Sequence, residues 1–118
     1  NNSYYISNSI NCNATSGGLV GFYDNEIPLI KNSYSSTNIT GTDNWSIIPD
    51  EYGDASITNS YYDSTKFSGE YTNGTGLTTS QMKQSTNFSG WDFSTIWNIT
   101  NGTTYPYLRN NTQSPLPQ

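Results

Sequence analysis

The chain contains no histidine. That removes the usual general acid–base side chain and the commonest zinc ligand. It has a single cysteine, Cys12, so no internal disulfide can form and no thiol–imidazole pair exists. Cys12 reads either as a small buried apolar residue or as a cross-link to another chain. Lys31, Lys66, Lys83 and Arg109 are the only cations, and the net charge is −5. Four scattered cations do not neutralise a run of phosphates, which argues against nucleic acid and against electrostatic docking on anionic lipid. No run of 18 apolar residues occurs, so no membrane span is expected in this sequence. Neither a phosphate loop nor a dinucleotide-type glycine pattern is present. The expectation is no enzyme, with no catalytic residue, no metal site and no cofactor. The first residue is not Met, no signal peptide is seen, and the chain opens inside a repeat, as a part of something longer would.

At 118 residues the chain makes at most one ordinary domain. Only 31% of residues are apolar, and aromatics supply nearly half of that. Scarce aliphatics lean toward disorder. Low charge, ten Tyr and three Trp point the other way. A chain rich in Asn, Ser, Thr, Gly and Tyr fits thin β-architecture, where backbone ladders and side-chain stacks replace a thick core.

Asn-Ser-Tyr stands at Asn2-Ser3-Tyr4, Asn32-Ser33-Tyr34 and Asn59-Ser60-Tyr61, in steps of 30 and 27. Such a period marks units that bury their apolar faces only by stacking on one another. Gly17, Gly18 and Gly21 bracket Leu19 and Val20 and suit a corner needing positive φ or close backbone approach. A strand is expected from Leu19 to Phe22, a turn at Asp24-Asn25, a second strand through Lys31-Asn32-Ser33-Tyr34, and a third at Ile39-Thr40-Gly41. Three short strands and tight turns per period make the coil of a parallel β-helix. A shift of 27 lays Ile47 on Val20, Ile57 on Ile30 and Asn59 on Asn32. Pro49 and Gly53 punctuate the next turn. Asn32 and Asn59 then read as ladder or turn residues in preference to ligands.

Past residue 64 the period breaks. Leu77 to Lys83 reads as a short helix, with Thr78 or Thr79 as N-cap and Met82 as its buried anchor. Phe88, Trp91, Phe93, Ile96, Trp97 and Ile99 follow densely, then Tyr105-Pro106-Tyr107-Leu108 after a turn at Gly102. This aromatic stretch suits a lid on the end of the stack. The expected organisation is coils over 1–64, a C-terminal cap over 65–109 and a tail over 110–118.

Nine Asn-x-Ser/Thr sequons occur, at Asn1, Asn13, Asn38, Asn44, Asn73, Asn87, Asn98, Asn101 and Asn110. Chance gives roughly four or five in this composition, so the excess points to a glycosylated, extracellular surface. Asp50, Glu51 and Asp54 form the one tight acidic group. It reads as a solvated turn ahead of a Ca²⁺ site, since the spacing is not that of a calcium loop. Tyr5, Trp45, Tyr52, Tyr62 and Tyr71 are candidates for stacking on sugar rings, set against core filling.

Gly17-Gly18-Leu19-Val20-Gly21 with the Asn32-Ser33-Tyr34 step resembles the GLUG repeat of large bacterial and archaeal surface proteins. The stretch from Leu77 to Lys83, then Gly90-Trp91-Asp92-Phe93, Trp97-Asn98-Ile99 and Tyr105-Pro106-Tyr107-Leu108, resembles the end that follows those repeats. The second coil departs by losing its glycines. The resemblance implies an all-β fold: a short right-handed parallel β-helix, filamentous-haemagglutinin-like, with a C-terminal cap containing one short helix. It implies a non-catalytic part of a secreted, cell-surface protein. The expected role is structural, in a surface layer, sheath or filament, with self-association or other surface chains meeting an open coil end. The alternative is an adhesin or glycan-binding module.

Overall fold

The computed structural model describes residues 2–12, 14–21 and 27–118, with Asn8 lacking a described side chain. The molecule is all-β with one short helix. Among the described residues ten strands form in chain order: β1 (Ser3–Cys12), β2 (Ser16–Gly17), β3 (Leu29–Lys31), β4 (Ser33–Gly41), β5 (Asn44–Trp45), β6 (Ser56–Thr58), β7 (Tyr61–Asp63), β8 (Thr75–Leu77), β9 (Trp97–Asn98) and β10 (Tyr107–Leu108). Helix α1 (Thr79–Met82) lies between β8 and β9.

The pairing is parallel nearly throughout. One four-stranded sheet has the order β1-β4-β7-β8, and two smaller parallel pairs are β2 with β5 and β3 with β6. The chain therefore visits the three sheets in the same order twice before reaching β7. Tyr4 pairs with Tyr34, and Tyr34 with Tyr61, so the three copies of the motif sit on adjacent strands. Ile30 pairs with Ile57, as the shift of 27 requires.

The register also explains why the first step is 30 and the second 27. Ser3 opposes Ser33, an offset of 30; after a bulge between Ile6 and Ser9, Ser9 opposes Asn38, an offset of 29. Ser16 opposes Asn44 at 28, and Leu29 opposes Ser56 at 27. Three surplus residues are absorbed one at a time, in a bulge and two connections, where an extra residue disturbs the ladder least.

Several strand boundaries differ from expectation. Leu19 lies in a bend and Val20 in no strand, and the strand of that sheet is Ser16–Gly17. Phe22 and the Asp24-Asn25 turn lie outside the described residues. The run through Asn32 is two strands, because Asn32 takes a left-handed backbone at φ 50°. Ile39 to Gly41 is the end of β4, and does not form a separate strand. The parallel ladder also runs past residue 64: β8 pairs with β7, and Trp45 bridges to Tyr71.

Side chains alternate across a strand. Tyr61 accordingly belongs to one apolar cluster and its neighbour Tyr62 packs on another. The second cluster is Ile30, Ile47 and Ile48, with Leu19, Val20, Ala55 and Ile57 around it. The first joins Tyr34 and Tyr61 to Met82, Phe88, Trp91, Trp97 and Tyr105 of the C-terminal segment. Helix α1 is as expected, with Thr78 and Gln81 forming a reciprocal capping box and Met82 fully buried.

The aromatic segment lies along the broad sheet. Phe88 and Trp91 meet Tyr61, Trp91 and Trp97 meet Tyr34, and Trp97 meets Tyr4. A lid on the terminal strand alone would not touch β7, β4 and β1 in turn. The tail returns too: Tyr105 N–H donates to the Pro117 carbonyl at 2.9 Å, and Pro117 is buried.

Candidate functional site

The Asn-Ser-Tyr motif is built for the corner between two strands. Asn32 and Asn59 both turn the chain through left-handed φ, at 50° and 47°. Asn tolerates this conformation better than other residues with a Cβ. One residue on, Ser33 Oγ donates to the Lys31 carbonyl at 2.9 Å, and Ser60 Oγ donates to the Thr58 carbonyl at 3.0 Å. The corners also bond to each other, Asn32 N–H to the Thr58 carbonyl and Ser33 N–H to Ser60 Oγ. The tyrosine that follows enters the aromatic cluster. All three residue types are thus used by the backbone and the core.

The tyrosine face is the most densely built part of the molecule. Tyr4 and Tyr34 stack with ring centroids 5.4 Å apart, 5° from parallel, and Tyr105 stacks on Tyr34 at 6.0 Å. Trp91 stacks on Trp97 at 4.1 Å. Tyr34 Oη donates to the Pro106 carbonyl at 2.7 Å, and Trp91 Nε1–H donates to the Asn59 carbonyl at 2.7 Å. Burial raises the Tyr34 phenol well above its ordinary range, with Tyr4 and Tyr105 adding to the effect. Tyr4 and Tyr61 are raised by burial as well.

Asp63 is the one buried carboxylate of the described residues, 1% exposed. It accepts from Tyr105 Oη at 2.6 Å, Thr79 Oγ1 at 2.8 Å and Thr65 N–H at 2.9 Å. Burial, then the bond to Asp63, pushes the Tyr105 phenol up to about 12. Lys66 and Lys83 place Nζ 5.1 and 5.4 Å from the Tyr105 ring centre, within cation–π range. Every donor to Asp63 is structural, and the group ties the sheet to α1 and the C-terminal segment.

The outer surface carries a second aromatic feature. Trp45 and Tyr71 stack at 4.8 Å, and Tyr71 is 46% exposed. Glu70 accepts from Asp43 N–H beside them, and Asp43 lies 3.4 Å from Trp45 Nε1. Of the other sugar-stacking candidates, Tyr5 and Tyr52 are exposed, whereas Tyr62 is packed on the inner cluster against Phe67. Among Asp50, Glu51 and Asp54, Asp50 closes the turn, taking Ala55 N–H on its side chain and Gly53 N–H on its carbonyl. Among the described residues no three Asp, Glu, Cys or His side chains converge to hold an ion. Cys12 is a half-buried free thiol at the end of β1, opposite Gly41.

The sequons fall into distinct settings. Asn1 and Asn13 lie outside the described residues. Asn44 is buried and its Oδ1 accepts from Ser16 Oγ. The Asn73 side chain clasps a turn, accepting from Ile47 and Ile48 N–H and donating to the Ile48 carbonyl at 2.7 Å. Asn38 sits within β4 and accepts from Ser68 Oγ. Asn87 Nδ2 donates to the Gln81 carbonyl, and Asn98 Nδ2 to Tyr107 Oη. Asn101 and Asn110 are exposed.

The Asn73 clasp and the Asp63 node are functional to the fold and were not read from the sequence. An Asn whose sequon overlaps a Gly turn carries no signal that its amide faces inward. No helix is long and apolar enough to cross a membrane among the described residues. The fold presents a long strand edge. β1 bonds to β4 on one side, and among the described residues its other edge pairs with no strand. Comparison with known proteins returned no match to a family model, a curated protein or a solved structure.

Proposed function

We propose that this chain is a non-catalytic structural unit of a cell-surface layer, sheath or filament, folded as a short right-handed parallel β-helix. The observation that carries the proposal is the register: Tyr4, Tyr34 and Tyr61 occupy equivalent places on adjacent parallel strands, and among the described residues no strand pairs with the outer edge of the ten-residue β1. An unpaired edge of that length is a template for another strand. A second copy, or another surface chain of the same build, would continue the ladder there. The resemblance to GLUG repeats supports the same reading, as does the excess of sequons for an extracellular place.

Sedimentation over a wide concentration range, with electron microscopy of the concentrated protein, tests this. Ordered end contacts or filaments are expected, and Tyr5→Lys or Asn11→Lys, which place charge on the β1 edge, should weaken them. Discrete monomers at every concentration would sink the proposal.

The Trp45–Tyr71 pair, in which Tyr71 is exposed and Trp45 half-buried, favours one other reading, a glycan-binding module, because stacked rings with carboxylates nearby suit a sugar face and its hydroxyls. A glycan array with the wild type and Tyr71→Ala decides it. Absence of binding by folded wild type rejects it.

A further inference from the structure

The amide nitrogen of a glycosylated Asn must reach an enzyme and thereafter carry a bulky sugar in solvent. Of the seven sequons with described structure, five fail that condition. Asn44 is 2% exposed. Asn73, Asn87 and Asn98 each donate Nδ2 to a protein oxygen, at 2.7, 2.9 and 3.0 Å. Asn38 is within a strand, and the central residue of its sequon, Ile39, is 1% exposed.

The other two are built differently. Asn101, Gly102 and Thr103 are all exposed and form a turn, with Gly102 at φ 81° and its N–H held by the Lys83 carbonyl. Asn101 Oδ1 accepts from Ser85 N–H at 2.9 Å. That bond fixes the exposed side chain by its oxygen. Asn110, Asn111 and Thr112 are likewise exposed on a turn, closed by Asn111 N–H to the Leu108 carbonyl. Neither Asn101 nor Asn110 donates Nδ2 to another described residue.

We propose that Asn101 and Asn110 are N-glycosylation sites of the folded chain, while Asn38, Asn44, Asn73, Asn87 and Asn98 stay bare. The donor class is an oligosaccharide linked to a polyprenyl pyrophosphate. Nδ2 forms the bond to the anomeric carbon, the pyrophosphate leaves with the electron pair of the C–O bond, and the amide gives up one proton. Both sites lie past the last strand of the broad sheet in the sequence, in the C-terminal segment, and Asn110 shares a shallow cleft with Asn2, next to the start of β1. The biological use of these sites rests on the extracellular reading above; the selection among them does not.

The test takes the purified folded chain, a single-subunit oligosaccharyltransferase that accepts Asn-x-Ser/Thr, and lipid-linked oligosaccharide, with site occupancy read by peptide mass spectrometry. Modification is expected at Asn101 and Asn110, lost singly in Thr103→Ala and Thr112→Ala. The five other sites should accept sugar only as unfolded peptides. Sugar on Asn44 or Asn73 of the folded chain overturns the proposal, and so does a bare Asn101 or Asn110. A chain modified in this assay but bare in its native setting counts against the extracellular reading alone.

Discussion

Tyr105 donates its phenol to Oδ2 of Asp63 at 2.6 Å, across 42 residues of chain, with both side chains out of water. Tyr105→Phe keeps the ring that stacks on Tyr34 and removes the donor. Leaving a buried carboxylate one partner short should cost about 1–3 kcal/mol. Asp63→Ala should cost more, because it orphans the Tyr105 and Thr79 hydroxyls and the Thr65 N–H together. Urea unfolding followed by Trp fluorescence measures both. Equal, negligible losses would show that the node does not tie the C-terminal segment to the sheet.

The same environment sets a behaviour at high pH. The Tyr34 and Tyr105 phenols are held above their unfolded value of 10, Tyr105 at about 12. Below pH 10 both are neutral whether the chain is folded or not, and their contribution is fully present. Between pH 10 and 12 the unfolded chain ionises while the folded one resists, so stability falls. Urea midpoints should drop across that window, and tyrosinate absorbance of the folded chain should show a fraction of the ten Tyr titrating late. Tyr105→Phe should make the drop shallower. A midpoint flat from pH 9 to 12 would contradict the burial of these rings.

The three glycines of the Gly-Gly-Leu-Val-Gly stretch should separate sharply. A Cβ on Gly17 would meet the Ile47 carbonyl oxygen at 2.7 Å, and one on Gly18 would meet Ser35 Cβ at 2.7 Å and press on the Ser46 carbonyl. Gly21 has open space and no positive φ. Gly17→Ala and Gly18→Ala should lose about 1–3 kcal/mol through overpacking, whereas Gly21→Ala should be near neutral. Thermal unfolding of the three single variants settles it. Close approach, not backbone freedom, is then the reason for glycine at this corner.

Asn32 and Asn59 offer the opposite case, where conformation decides. Replacing either by Ala should cost about 1–2 kcal/mol, because Ala adopts left-handed backbone less readily than Asn. Replacement by Gly should cost less than Ala at both sites. A denaturant series over the four variants checks the order, and Ala matching Gly would refute it.

Much of this molecule is legible in its one-dimensional pattern. The equivalence of Tyr4, Tyr34 and Tyr61 follows from recurrence, because like residues at a strand period stack when strands pair in parallel. The pairing of Ile30 with Ile57 and the helix capped by Thr78 follow similarly from spacing and cap chemistry. The change from a step of 30 to one of 27 was visible as a number, but its distribution over a bulge and two connections was not. An extra residue leaves no composition mark in a chain this rich in Ser and Asn.

Position along the sheet was also out of reach. Trp91 and Trp97 announce burial by their size, but size does not say whether they cover a strand end or a sheet face. That choice depends on which Tyr rings lie free to be covered, a relation among β1, β4 and β7 that exists only after folding.

The sequons show the division most plainly. Nine matching triplets are a property of the sequence alone, since an acceptor motif is local. Whether an amide faces solvent, as at Asn101, or clasps the backbone of Ile47 and Ile48, as at Asn73, depends on strands brought together from far along the chain. The residues by themselves determined a polar, aromatic-rich β chain with a repeating corner. The tertiary structure decided which of those polar groups were left facing water, because a hydrogen bond between distant segments has no signature until both ends meet.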